Sequence, residues 1–188
     1  ATYTVDPRGV PLSETVRMAV DGCKAAQGQS GNIAYAAAST STFLLRELFL
    51  SSDGAHINQS FAQTEGFAIV ICGSEHGNFE HYDFTGHQRG WEVLTDGYNN
   101  GPIVLPNFID FCSNLGADAA EVAAAPPLKP PGHDVVVVTN PHFNTLLVHE
   151  VVGHPSELDR ALKYETAYAG RSWFLKNLEE NQLGRQIA

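Results

Sequence analysis

The sequence is short of basic residues and of long apolar runs, and each shortage excludes a class of protein. Its 188 residues include 11 Lys and Arg against 21 Asp and Glu, a formal net charge of −10 at pH 7. Binding to nucleic-acid phosphates needs clustered positive charge, so nucleic acid is not expected as a partner. The longest apolar run covers residues 67–72. A membrane span needs roughly 20 apolar residues, so no membrane association is expected.

Cysteine is also scarce, and its pattern bears on the cellular compartment. Cys23, Cys72 and Cys112 are an odd number of widely spaced residues, and no C-x-x-C motif is present. A disulfide framework is therefore not expected, and the predicted location is the reducing cytoplasm. All three lie in apolar stretches, which predicts packing in the core.

The pattern of apolar residues predicts an α+β fold. A loose helical stripe begins at Ser13 and stops at Gly28, and short strand-like segments then follow at roughly 8–12-residue spacing. Such spacing is typical of a mostly antiparallel sheet, here over residues 32–86, with flanking helices. The predicted strands are 32–39, 42–51, 55–63, 66–72 and 78–86.

Composition shifts divide the chain into three predicted regions. Residues 1–116 form the α+β sheet region, and an exposed Ala/Pro-rich linker covers residues 117–132. Residues 133–188 hold a buried strand at Val135–Val138 and a helix from about Asn144 to His154. A further predicted helix covers about Ser156 to Glu165, and residues 105–115 are predicted helical in the first region.

The main chemical signal is the run H-E-x-x-x-H from His149 to His154. Two neutral imidazoles can bind zinc, and Glu150 beside the first can take a proton from a water molecule. At about 100° per residue, histidines five apart lie roughly 140° apart on a straight helix, against about 40° for a spacing of four. Gly153 and Pro155 loosen the helix there. We therefore predict a π-bulge or break between Val152 and Pro155.

Two other interpretations of the histidines stay open. His149 and His154 can be a core residue and a residue near the negative end of a helix dipole, although Glu150 in an apolar helix costs free energy without a role. A second cluster contains His76, His81 and His87 together with Asp83, of which the last three share one face of a strand. It can bind a metal or line a groove, but a solvated sheet face is the commoner case.

The segment from His149 to Arg160 resembles the H-E-x-x-G-H signature of the TldD/PmbA family, metallopeptidases once called modulators of DNA gyrase. The similarity extends to the valine run at 135–138 and to residues 165–171. It implies that His149 and His154 bind Zn²⁺, with Glu150 as general base. It also favours the TldD-type catalytic subunit, since the TldE-type partner typically lacks these residues.

The same resemblance implies that this chain is an incomplete piece of a longer protein. The family's third zinc ligand is a cysteine in a C-terminal β domain that the sequence does not contain, so the isolated chain is expected to be inactive. If the third ligand lies within the chain, the candidates are His81, Asp83, His87, His142 and Glu157. A peptide substrate is implied, as is a dimer with itself or with a PmbA/TldE-like paralogue.

Three functions therefore follow from the sequence. The first is a TldD-like zinc metallopeptidase that hydrolyses short or unfolded peptides. The second is a non-catalytic peptide-binding or oligomerisation subunit of the same family. The third is an unrelated α+β protein whose histidine pair is structural. Metal binding separates the first from the other two.

Overall fold

The computed structural model describes residues 3–170 and residue 172, apart from the side chain of His142. The chain divides into two compact units, residues 1–128 and 129–188. The boundary between them falls inside the predicted linker at 117–132. Residue 171 and residues 173–188 of the predicted C-terminal region lie outside the described residues.

The first unit is built on a three-stranded antiparallel sheet in the order β1-β2-β3. The strands are β1 (Ile33–Leu50), β2 (His56–Ser74) and β3 (Gly77–His87). The α+β class and the antiparallel sheet predicted over residues 32–86 are confirmed. The five predicted segments form three strands, because residues 40–41 and 64–65 continue the pairing where breaks were expected. Thr42 and Thr64 pair beside these positions. Their hydroxyl oxygens lie 3.2 Å apart across β1 and β2.

Glycines make the two reversals of this sheet. Gly54 between β1 and β2 has a φ of 91°, and Gly77 at the start of β3 has a φ of 117°. Residues with a Cβ rarely adopt this left-handed region, so a glycine suits both positions. The turn signals in the sequence thus lie where the chain reverses.

Helices α1 (Leu12–Gln27) and α3 (Phe108–Ala124) pack against each other and against the sheet. Between β3 and α3 lie a short helix α2 (Glu92–Asp96) and a hairpin of β4 (Tyr98–Asn100) and β5 (Ile103–Leu105). The centre of the core is fully buried Phe108, whose ring lies against Gly66 of β2. The core also contains Ala26, Ile33, Ala68, Val70, Cys72, Trp91, Leu94, Cys112, Leu115, Ala119 and Ala123.

The three cysteines are free thiols, as predicted. Cys72 and Cys112 are buried in this core, whereas Cys23 is half-buried. Burial away from water raises the pKa of the Cys112 thiol to about 12, because the thiolate loses its hydration. Cys112 therefore acts as an apolar packing group.

Glu92 ties the N-terminal segment to the sheet unit. Its carboxylate accepts hydrogen bonds from the backbone N–H groups of Thr4 at 3.0 Å, Val5 at 2.9 Å and Gly90 at 3.2 Å. Partial burial raises the pKa of this carboxyl, but the backbone hydrogen bonds lower it more. The pKa of Glu92 therefore lies below its usual value of 4.5.

Helix α3 is longer than the sequence predicted, and it takes up the first half of the predicted linker. Its N-cap is Asn107, whose side chain accepts the N–H of Asp110 at 2.9 Å. The helix then continues to Ala124, with Ala119 and Ala123 buried. Alanine has the highest helix propensity and fits close packing, which explains why residues 117–124 are helical. Within the predicted linker, only residues 125–132 lack helix and strand, and all of them are exposed.

The prediction of a buried strand at Val135–Val138 is wrong. These residues have no strand partner among the described residues, and Val136 and Val138 are 94% and 91% exposed. A strand needs a neighbour for its backbone hydrogen bonds and a surface to cover its apolar face. The described part of the second unit supplies neither.

The second unit carries the motif helix and its continuation. Helix α4 spans Pro141–Val148, followed by a π-helical turn at His149–Gly153, a 3₁₀ turn at His154–Ser156 and a short α5 at Leu158–Ala161. No helix among the described residues is long and apolar enough to cross a membrane.

Both ends of this region differ from the predicted bounds. Helix α4 starts three residues before the predicted Asn144, because Asn140 caps it by accepting the N–H of Phe143 at 2.7 Å. The helix predicted from Ser156 to Glu165 shrinks to the four residues of α5. Ser156 does not cap that helix, since its hydroxyl donates to the carbonyl of Gly153 at 2.9 Å.

Candidate metal centre

A π-helical turn brings the two motif histidines to the same side of the chain. The backbone N–H of His154 donates to the carbonyl of His149, five residues earlier, which closes the wider turn. A turn of this kind holds about 4.4 residues, or about 82° per residue, so residues five apart lie about 50° apart. The predicted distortion is confirmed, but it starts at His149, three residues before Val152.

The two imidazoles converge through the same ring atom. Their Nε2 atoms are 2.8 Å apart, and the rings meet at an interplanar angle of 80° with centroids 4.2 Å apart. Two Zn–N bonds of about 2.05 Å at a tetrahedral angle would separate the nitrogens by about 3.3 Å. The two nitrogens would therefore need to move apart by only about half an ångström to bind one zinc ion.

Glu150 completes a group of three side chains that could hold a metal ion. One of its carboxylate oxygens lies within 4.8 Å of the ligand nitrogens of His149 and His154. His149 and Glu150 are exposed, and His154 is half-buried, so the group is open to water. Imidazole nitrogens and a carboxylate oxygen are the donors that zinc takes from proteins, and an open side is typical of catalytic zinc sites.

The Nδ1 edge of the His154 ring contacts the carboxylate of Glu157. Nδ1 of His154 lies 2.7 Å from Oε1 of Glu157, and Nε of Arg160 donates to Oε2 of Glu157 at 2.7 Å. Nη1 of Arg160 donates to the carbonyl of Ala169. The hydrogen bond with His154 and the charge of Arg160 hold the pKa of Glu157 below its usual value.

This arrangement places Glu157 on the opposite ring edge from Nε2 of His154, the atom that faces His149. Glu157 was one of the alternative third ligands considered from the sequence, and here it contacts Nδ1 instead. Arg160 ends the segment that resembles the family signature, but the sequence assigned no role to it. The available signal was an acid three residues after His154 followed by an arginine three residues further on.

A cleft of about 690 Å³ borders the centre on the side of His154. Leu158, Leu162 and Tyr164 contribute apolar surface, while Asp159 and Glu165 contribute carboxylates. A volume of this size is in the range of small-molecule binding sites. It is lined by His154, Glu157, Leu158, Asp159, Arg160, Leu162, Tyr164 and Glu165.

The second histidine cluster does not form a metal group in the described structure. His81, Asp83 and His87 pair with alternate residues of β2 and so share a face, as predicted. In the part of the chain that is described, they do not belong to any set of three ligands within 4.8 Å. The His87 ring packs on Tyr98 with centroids 4.2 Å apart, and His76 lies 3.6 Å from Glu75. The side chain of His142 lies outside the described residues.

The chain matches no model of a known protein family, and no curated protein is significantly similar to it. Function is therefore inferred from the residues and geometry of His149, Glu150 and His154.

Proposed function

We propose that this chain carries the zinc-binding part of a TldD-like metallopeptidase that acts on short or unfolded peptides. His149 and His154 are the zinc ligands, and Glu150 is the general base. The observation that supports this most directly is the 2.8 Å approach of the two Nε2 atoms. A helix that bends into a π turn to bring two imidazoles together is unusual unless both act on one group, since π turns are concentrated at functional sites.

Each residue of the group has a separate task in this proposal. When bound, zinc supplies Lewis acidity, which polarises a peptide carbonyl and lowers the pKa of a water molecule. The Glu150 carboxylate accepts a proton from the attacking water and returns it to the amine that leaves. The His149 and His154 rings bind through neutral Nε2 lone pairs, so they have no part in the proton transfer.

The described residues supply two imidazole ligands, whereas catalytic zinc normally has three protein ligands and an open position. The family resemblance implies a cysteine thiolate outside this sequence as the third. We therefore expect the 188-residue chain to bind zinc weakly and not to cleave peptides. Its free thiols suit the cytoplasm, and a PmbA/TldE-like paralogue or a second copy is the proposed partner.

Zinc titration of the chain tests the ligand assignment. His149→Ala and His154→Ala should each abolish the binding seen for the wild-type chain, because one remaining imidazole does not hold zinc. His56→Ala is the matched control, since His56 is an exposed histidine at the start of β2 in the other unit. Equal zinc binding by all three variants would show that the metal does not bind at this centre.

A further inference from the structure

We propose that Glu157 is a positioning residue that fixes the tautomer of His154, and that Arg160 holds Glu157 in place for this purpose. This inference rests on the proposed function, because it assigns Glu157 a role toward the same zinc ligand. It names two residues that the sequence motif does not include. The supporting geometry is a continuous chain of contacts from His154 Nδ1 through Glu157 to Arg160.

The contact with Glu157 decides which nitrogen of His154 is free to bind metal. A neutral imidazole carries one proton, on Nδ1 or on Nε2. Glu157 bonded to the Arg160 guanidinium is an ionised carboxylate, which can only accept hydrogen bonds. Nδ1 of His154, 2.7 Å from that carboxylate, must therefore be the donor. The lone pair is then on Nε2, the atom that faces His149.

Without metal, the same reasoning assigns the contact between the two rings. Nε2 of His154 is an acceptor, so Nε2 of His149 donates its proton across the 2.8 Å contact. Zinc then needs a tautomer change in His149 only, because His154 is already in the binding form. Glu157 thus prepares one of the two ligands before metal arrives.

Both ends of the Glu157 carboxylate are fixed, so its direction is well defined. Oε1 contacts His154 and Oε2 contacts Arg160, whose side chain is only 14% exposed. The backbone N–H of Glu157 also donates to the carbonyl of His154 at 3.1 Å. Outer partners of metal-binding histidines typically contribute 10–100-fold to metal affinity by this kind of orientation.

Glu165 provides a matched control for the general electrostatics of the cluster. Its carboxylate lies 4.0 Å from Nε of Arg160, so it shares the arginine with Glu157. Glu165 pairs with Arg160, whereas Glu157 contacts both Arg160 and the His154 ring. A role for Glu157 that depends only on pairing with Arg160 would be partly shared by Glu165.

The experiment compares the 188-residue wild-type chain with Glu157→Ala, Glu157→Gln and Glu165→Gln. Zinc affinity is measured by competition with a chromophoric chelator, and the tautomer of His154 by ¹⁵N NMR of the imidazole nitrogens. We expect zinc affinity to fall about 10–100-fold in Glu157→Ala and less in Glu157→Gln, whose amide oxygen can still accept from Nδ1. Glu165→Gln should keep the wild-type affinity. His154 should carry its proton on Nδ1 in the wild type and show a mixture in Glu157→Ala.

The outcomes separate this inference from the proposed function. Wild-type zinc affinity in a folded Glu157→Ala or Glu157→Gln chain would overturn the inference and leave the zinc site intact. A wild-type chain that binds no zinc would remove the proposed function, and the NMR tautomer would then decide alone whether Glu157 fixes His154. An Nε2 proton on wild-type His154 would overturn the inference in either case.

Discussion

Changing the spacing between the two motif histidines tests whether the π turn serves to bring them together. Deleting Val152 leaves His149 and His154 four residues apart, which on an ordinary α-helix places them about 40° apart. Inserting an alanine after Val152 makes the spacing six. The histidines then lie about 120° apart on an α-helix and about 130° apart on a π turn. Neither backbone can then bring the two Nε2 atoms to the 2.8 Å seen here.

The expected effects on zinc affinity follow from this arithmetic. The deletion should keep the affinity within about tenfold of wild type, because both imidazoles still face one point. The insertion should lower it by at least about 100-fold, since even the loss of an outer partner costs 10–100-fold. Zinc competition titration measures both, and circular dichroism checks that the chains remain folded. An alanine inserted after Gly132, in an exposed segment without helix or strand, controls for added length.

Strong zinc binding by the insertion variant would refute the two-histidine site. Loss of binding in the deletion variant alone would refute the role given to the π turn. It would mean that the turn sets some feature other than the angle between the histidines. The spacing of Glu157 from His154 is the same in both variants, so its contact with the ring does not confuse the comparison.

Three further predictions concern catalysis, packing and pH. In the peptidase that we propose, Glu150→Gln should lower peptide hydrolysis at least about 100-fold, because the general base is lost. Its zinc content by elemental analysis should not change, and a loss of zinc would make Glu150 a ligand. Phe108→Ala should lower the free energy of unfolding, measured by urea titration, by about 3–5 kcal/mol, because the Phe108 ring is fully buried. A loss under about 1 kcal/mol would contradict this packing. The lowered pKa of Glu92 stabilises the fold above its usual value of 4.5, and this contribution should disappear as pH falls through the folded pKa. The difference in free energy of unfolding between Glu92→Gln and the wild type should therefore be largest at neutral pH and small in acid. A difference that does not change with pH would exclude this linkage.

The sheet was largely predictable from sequence because its signals are local. Alternating apolar residues mark strands, and the turn residues before Gly54 and Gly77 mark where they reverse. The length of each strand was not predictable, because it depends on a partner strand pairing through Thr42 and Thr64. At Val135–Val138 the local signal predicted a strand that does not form. An apolar run becomes a strand only where another strand and a covering layer are present.

Residue spacing and helix geometry were enough to predict the helix distortion at the candidate site, but not the orientation of its side chains. The five-residue spacing of His149 and His154 required a distorted helix, and Gly153 and Pro155 indicated roughly where. The orientation of the His154 ring was not predictable, because it depends on which nitrogen faces His149. Without that orientation, Glu157 was as reasonable a ligand as a positioning residue.

Two successive changes of helix type explain why the two edges of the His154 ring contact His149 and Glu157. The π turn at His149–Gly153 adds a residue to the turn and so brings Nε2 of His154 to His149. The 3₁₀ turn that follows has about three residues per turn, so residues three apart lie almost above one another. That geometry places Glu157 next to Nδ1. A straight α-helix would misplace the first contact, and a π turn continued past His154 would move Glu157 out of line with the ring. The change between the two helix types at Gly153 and His154 therefore turns Nε2 of this histidine toward His149 and Nδ1 toward the Glu157 carboxylate.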